Sequence, residues 1–293
     1  MEDKISVVMA TYNGAKYLES QLQSIFNQHH SADEVIVSDD HSTDDTWMVL
    51  KKYKNLKIYQ NENARGVISN FKYAALKANP SNYLAFSDQD DVWLKDKLSA
   101  SLSALKSIEA TDIPCMVYSD PIVINAKGET VSDSLWSILG FNKYEHKLQT
   151  ILFGNPAGGC TMLINPELAK YIATIPEDCL MHDAWITLCA YTFGKAAILP
   201  KSVLKYRQHE TNVTFSEAYK KQHRVGRVLN EVKRSLFGKS DLFSDQFTFV
   251  SKFYNHFKDD IAEDKKVIFK VFLKLENKSY LQKKLAFRKA MKA

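Results

Sequence analysis

The sequence predicts a doubly wound, mostly parallel α/β sheet, and three observations predict it. Short apolar runs of strand length recur through the first ninety or so residues, and each is followed by a polar turn and an apolar pattern of helical period. Strands alternating with helices in this way form parallel sheets with right-handed crossovers. Several of these runs end in carboxylates or other polar groups, just past the strand ends where such sheets carry their chemistry.

Lys4 to Thr11 reads as a buried strand, with Tyr12-Asn13-Gly14 as its turn. Leu18, Leu22, Ile25 and Phe26 then fall on one helical face. A second strand, Glu34 to Ser38, runs into Asp39-Asp40 and His41-Ser42-Thr43-Asp44-Asp45. Ser42 with Asp45 three positions on matches a capping box for a helix through Trp47 and Leu50. The third strand, Leu56 to Gln60, leads through Asn61 and Arg65-Gly66 to a helix containing Phe71 and Leu76. These three βα units align Thr11, Asp39, Asp40, Arg65, Asp88 and Asp90 along one sheet edge.

The fourth strand, Tyr83 to Ser87, ends in Asp88-Gln89-Asp90-Asp91, three carboxylates within four positions. Such a cluster is self-repelling unless something positive lies within it, and hard oxygen ligands favour Mg2+ or Mn2+. The plain alternative is a solvated acidic turn before a helix that starts near Lys95. No GxGxxG follows the first strand and no GxxxxGK[ST] occurs, so phosphates would be met by a metal rather than a glycine loop.

Farther on, Met116 to Tyr118, Ile122 to Ile124, Met162 to Ile164 and Ala196 to Leu204 read as strands. Asn155 to Thr161 reads as a flexible loop. Gly158-Gly159 within it permits close backbone approach to a ligand, a plain hairpin turn being the equal alternative. His182-Asp183 opens an apolar helix, where Asp183 on its own suits an N-cap.

Val7-Val8-Met9-Ala10-Thr11-Tyr12-Asn13, Ser38-Asp39-Asp40-His41-Ser42 and the DxD-type Asp88-Gln89-Asp90 together resemble glycosyltransferase family 2 over residues 4 to 213. Phe86 to Trp93 with His182-Asp183 is similar to bacterial rhamnosyltransferases of surface-polysaccharide (O-antigen or capsule) synthesis. The resemblance implies a GT-A fold and an inverting, metal-dependent transfer from a nucleotide sugar. Thr11, Tyr12, Asn13, Asp39, Asp40, Arg65 and Asp88 would then hold the nucleotide, and Asp90 and His209 the metal, Mg2+ or Mn2+. Arg207 would contact phosphate, Gly158, Gly159, His182 and Trp185 would face the sugars, and Asp183 would be the base. L-rhamnose from dTDP-rhamnose is the expected donor, a UDP-sugar the alternative, and a glycan or lipid-linked oligosaccharide the acceptor. Gln89 stands where many relatives have a small residue, and His182 where an acid is usual.

Two other functions compete. Asp88-Gln89-Asp90-Asp91-Val92 fits the DxDx[TV] pattern of HAD-like phosphatases, although that pattern belongs after a domain's first strand. A non-catalytic nucleotide-sugar-binding subunit is the other alternative.

Residues 1–215 are expected to form the GT-A domain, its nucleotide half about 1–93 and its acceptor half about 94–215, and 216–293 a basic helical appendage. From Tyr219 onward there are 19 Lys and Arg against 8 Asp and Glu, a balance of +11, while the preceding residues carry −6. Lys265 to Lys274, with Lys283, Lys284, Arg288 and Lys289, mixes lysines with bulky apolar residues, a texture suited to an anionic membrane surface. A dimerisation arm or a solvated appendage is the alternative, and no nucleic-acid module accompanies the charge. The four cysteines show no CxxC spacing, which with the lack of a basic leader or long apolar run points to a cytoplasmic protein with reduced thiols, peripheral at the inner membrane face.

Overall fold

The structure is a computed structural model that describes residues 3–210 and 242–292. The start of the basic tail at Tyr219, and Thr211 and Asn212, lie outside the described residues. The described chain forms two compact units. One comprises Met1–Ile138 with Ala157–Arg207, the other Leu139–Pro156 with Gln208–Ala293.

The strands of the first unit are β1 (Ile5–Thr11), β2 (Glu34–Asp39), β3 (Leu56–Gln60), β4 (Tyr83–Ser87), β5 (Val92–Trp93), β6 (Cys115–Tyr118), β7 (Ile122–Ile124), β8 (Thr130–Ser132), β9 (Leu163–Ile164), β10 (Lys195–Ile198) and β11 (Leu204–Arg207). Seven of them form the main sheet in the order β10-β6-β9-β4-β1-β2-β3. All its pairings are parallel except those of β9, which runs antiparallel to β4 and β6. This is the mostly parallel, helix-flanked sheet that the sequence predicts.

β1 is inaccessible along almost its whole length because helices cover both faces of the sheet, which is why its sequence is a continuous apolar run rather than an alternating one. The helix Ala15–Phe26 buries Leu18, Leu22 and Ile25. Its Gln21 is buried as well and donates from Nε2 to Ser87 Oγ at 2.7 Å, tying this helix to the end of β4.

β5, β11, β7 and β8 make a second, four-stranded sheet. The single strand expected over Ala196–Leu204 is therefore two, β10 in the main sheet and β11 in the small one. Pro200, which has no N–H to give a ladder, lies in the break between them. The expected strand Met162–Ile164 is shortened to β9. The loop before it is partly ordered as a 3-10 turn, Gly159–Thr161, rather than a flexible loop or a hairpin. Ser42 and Asp45 form no capping box. The helix Thr46–Leu50 has no side-chain cap, and Asp44 accepts the N–H of Thr46 instead.

The second unit contains the helices Leu148–Ile151, Ser244–Phe257, Glu263–Leu273 and Tyr280–Lys292 around an aromatic core. Phe153 meets Phe243, Phe272 and Phe287 with ring centroids 5.1, 4.9 and 5.1 Å apart, and Phe253 stacks on Phe269 at 5.8 Å. Lys283 is buried with its ammonium over the Phe247 ring, while Val267, Val271, Leu281 and Leu285 are exposed. Among the described residues no helix is long and apolar enough to cross a membrane.

Candidate active site

The ends of β1 and β2 are joined by hydrogen bonds converging on Asp39. Thr11 Oγ1 donates to Asp39 Oδ2 at 2.9 Å, the Ser42 hydroxyl to the same oxygen at 2.5 Å, and the Ser42 N–H and Trp47 Nε1–H to Oδ1, both at 2.8 Å. Asp39 is inaccessible and saturated from within the chain. It holds this edge together rather than presenting its carboxylate to a ligand. Ser42, read from sequence as a cap, also accepts the Asn13 N–H at 2.8 Å. Asn13 adopts the left-handed region (φ 48°), which asparagine tolerates, and its Oδ1 accepts the Thr43 N–H at 2.8 Å.

Asp40 links the end of β2 to the next connection, accepting from Asn61 Nδ2 at 2.9 Å and from the Gly66 N–H at 2.8 Å. Arg65, beside it, is exposed, as is Tyr12. The result is a braced polar edge with Tyr12, Asn13 and Arg65 on its open side.

The acidic turn after β4 lies next to this edge. Although Asp88 keeps part of its surface exposed, its carboxyl is pushed up to about 7, by desolvation first and then by the negative charges of Asp90 and Asp183. Asp183 is thus brought close enough to the Asp88–Asp90 turn to act on it electrostatically. It stands in the first turn of the helix His182–Phe193, where the partial positive charge of the helix N-terminus favours an acid. Its Oδ2 accepts the Gly159 N–H at 2.9 Å. Gly159 and Asp183 are therefore paired directly, a link that spacing in the sequence does not reveal.

Beneath the turn is a buried layer that sequence reasoning missed. Asp91 is inaccessible and accepts the Arg207 N–H on Oδ1 at 2.9 Å. Its carboxyl is driven well above the usual range by desolvation and by Asp88 and Asp90. Lys97 is buried, its ammonium 4.7 Å from the Trp93 ring centroid, and desolvation brings it down to about 8. The ligating atoms of Asp88, Asp91 and Cys160 lie within 4.8 Å of one another. Burial pushes the Cys160 thiol well up, so it offers a protonated, soft sulfur. The carboxylates, by contrast, are hard oxygen donors under mutual repulsion. The carboxyls of the turn thus have the chemistry that suits a hard divalent cation, and the Cys160 thiol does not.

Three sequence assignments change character in the structure. Arg207 is buried, donating from Nε to the Asp90 carbonyl at 2.7 Å and from an Nη to the Asn125 carbonyl at 3.3 Å, with its guanidinium over the Tyr17 ring. It clamps the acidic turn to the small sheet instead of reaching for a phosphate. Trp185 is core, its Nε1–H donating to Thr174 Oγ1 at 3.0 Å, rather than a sugar contact. His182 is also buried, its ring stacked on Phe71 at 4.2 Å. Desolvation keeps it neutral more than Asp183 can charge it. Gly158 stands just before the 3-10 turn, and His209 two residues past β11, in the second unit.

The family model for glycosyl transferase family 2 matches residues 6–166. The dTDP-rhamnosyl transferase RfbG of Shigella flexneri is 29% identical over 245 residues, 76% of this chain and 80% of that protein. The UDP-Glc:alpha-D-GlcNAc-diphosphoundecaprenol beta-1,3-glucosyltransferase WfaP of Escherichia coli is 30% identical over 41% of this chain, an alignment that spans about half (53%) of that protein. Among solved structures, S. aureus TarS 1-349 in complex with UDP-GlcNAc superposes with a TM-score of 0.57 at 22% identity, covering 91% of this chain and 78% of that one. The mannosyltransferase PcManGT from Pyrobaculum calidifontis, in complex with GDP-Man and Mn2+, gives 0.55 at 16% identity over 99% and 86%. The sheet order and the acidic turn after its fourth strand, which is where a phosphatase nucleophile does not belong, agree with these likenesses: the chain belongs to glycosyltransferase family 2 and has its GT-A fold.

Proposed function

We propose that this protein is an inverting glycosyltransferase that moves L-rhamnose from dTDP-rhamnose to a hydroxyl of a glycan or lipid-linked acceptor in surface-polysaccharide synthesis. One observation carries the chemistry: Asp183, held by the Gly159 N–H, is close enough to the Asp88–Asp90 turn for its charge to raise the Asp88 carboxyl.

In this account Tyr12 and Asn13 hold the base and ribose against the edge braced by Asp39, with Arg65 at its open side. Asp88 and Asp90 would hold a divalent cation, which when bound offsets charge on the departing diphosphate. Asp183 takes the proton from the acceptor hydroxyl as that oxygen attacks the anomeric carbon from the side away from the diphosphate. The Gly159 N–H fixes the orientation of this carboxylate. Arg207 and Asp91 keep the turn's backbone in place from below. Rhamnose as the sugar rests on the likeness to RfbG, and polysaccharide as the product on the relatives' names.

The lysines and exposed Val267, Val271, Leu281 and Leu285 of the C-terminal helices support docking on an anionic membrane surface from the cytoplasmic side, with a second copy of the chain as the competing partner.

A thermal-shift screen of dTDP, UDP and GDP, each with and without Mn2+, followed by transfer assays with the matching sugars, tests the proposal. Mn2+-dependent stabilisation by dTDP and turnover of dTDP-rhamnose are expected. A UDP preference would replace rhamnose with a hexose or N-acetylhexosamine. Metal-dependent nucleotide binding without turnover on any acceptor would make the chain a binding subunit.

A further inference from the structure

The β1–β4 ladder ends at the pair Met9 and Ser87, and beyond it the two strands part toward the nucleotide loop and the acidic turn. Gln89 spans the gap. Its Oε1 accepts the Tyr12 N–H at 2.9 Å and its Nε2 donates to the Tyr12 carbonyl at 3.0 Å. Both main-chain groups of Tyr12 are thus satisfied by one side chain 77 residues away, the pattern a neighbouring strand would supply. We propose that Gln89 is a positioning residue that couples the Tyr12–Asn13 loop to the Asp88–Asp90 turn, so that base binding in one and cation binding in the other support each other.

The residue type follows from the chemistry. The bridge needs a donor and an acceptor on one uncharged side chain, which an amide provides. Glutamate would lose the donated bond and add another carboxylate beside Asp88, Asp90 and Asp91. A small residue would not reach. Gly14 fits the same picture, since a Cβ there would fall 2.1 Å from Gln89 Oε1 and 2.4 Å from Cδ. Gly14 has φ −103°, an ordinary value, so the space taken by the Gln89 amide is what requires glycine there.

The coupling rests on the assignment of base to one loop and cation to the other, and the test separates the two. Uridine and thymidine carry no diphosphate to bridge to a metal, so their affinity, read by NMR titration without metal, reports the Tyr12 loop. Mn2+ affinity without nucleotide, read by electron paramagnetic resonance, reports the turn alone. Gln89→Ala is expected to weaken the preferred nucleoside about fivefold, the loss expected of one or two neutral hydrogen bonds. Gly14→Ala, which expels the amide from the loop side and leaves every carboxylate in place, is expected to weaken Mn2+ by a similar factor. The double variant should be no worse than the more affected single variant, because both changes remove the same bridge.

Unchanged Mn2+ affinity in Gly14→Ala, or additive losses in the double variant, would overturn the coupling while the site assignment stands. Wild-type protein that binds neither Mn2+ nor nucleoside would overturn both. Melting curves check that each variant folds, and Gly14→Ala alone decides the matter if Gln89→Ala does not.

Discussion

Asp183 and Gly159, 24 positions apart, meet through one backbone hydrogen bond of 2.9 Å that fixes the carboxylate at the start of its helix. A general base needs an orientation as much as a pKa, and in the proposed role this bond would supply it. Asp183→Ala is expected to cut kcat by about 10³-fold or more, within the range typical of general-base loss. Its affinity for nucleotide diphosphate, measured by calorimetry, should stay within about twofold. Normal turnover would remove the base assignment.

Gly159 is the second test of that pairing. A Cβ there would sit 2.9 Å from His182 Nε2, and the His182 ring, stacked on Phe71 and tilted against Phe86, has little freedom to yield. Gly159→Ala should therefore cost about 1–3 kcal/mol by overpacking, seen in urea denaturation. Because the Asp183 anchor shifts with it, kcat should fall about tenfold or more with the donor KM little changed. Adding His182→Ala should relieve the steric part of the stability loss.

Asp90 separates its side chain from its backbone role. Its carbonyl accepts from Arg207, an anchor that Asp90→Ala retains, so the turn should keep its course. The carboxylate is what a cation would lose. Mn2+ should raise the melting temperature of the wild type, as any ligand of the folded state does, and fail to raise that of Asp90→Ala. An equal shift in both proteins would exclude Asp90 as a ligand.

Glu34 carries a pH dependence remote from the site. Burial would raise its carboxyl, but the Asn79 N–H at 2.8 Å and the Lys57 ammonium and Ser6 hydroxyl, both at 2.5 Å, outweigh burial and hold it below its usual value of 4.5. The folded state therefore binds this proton less readily than the unfolded chain. The resulting stability is fully present above about pH 4.5 and is lost as the pH falls through the lower folded value. Glu34→Gln should be less stable at neutral pH and show a flatter decline between about pH 5 and 3. Parallel melting profiles for the two proteins would refute the assignment.

How far the sequence revealed this molecule depended on whether the signal was local. The continuous apolar run of β1 and the carboxylates after β4 are local patterns, and they located the sheet and its acidic edge. The small sheet was legible only in part: β7 reads as a strand, but β5 is two residues long and is a strand only because of what it pairs with. Lys97 was passed over because nothing beside it in the chain says that its ammonium is buried against Trp93. Arg207 was given to phosphate by the resemblance, and its enclosure by the Asp90 and Asn125 carbonyls is a tertiary fact. Ser42 matched a cap by spacing, but Asp39 and Asn13 claimed it.

β9 has a consequence for how the domain can vary. In the main sheet, the four strands β4, β1, β2 and β3 and the two strands β6 and β10 are stitched together by its two residues, Leu163 facing Ala85 and Val117, and Ile164 facing Leu84 and Met116. So short a seam asks for little more than two aliphatic side chains of the right size from either flank. A chimera that keeps this stitch can exchange the acceptor-facing segment of one such enzyme for that of another and leave the donor edge undisturbed.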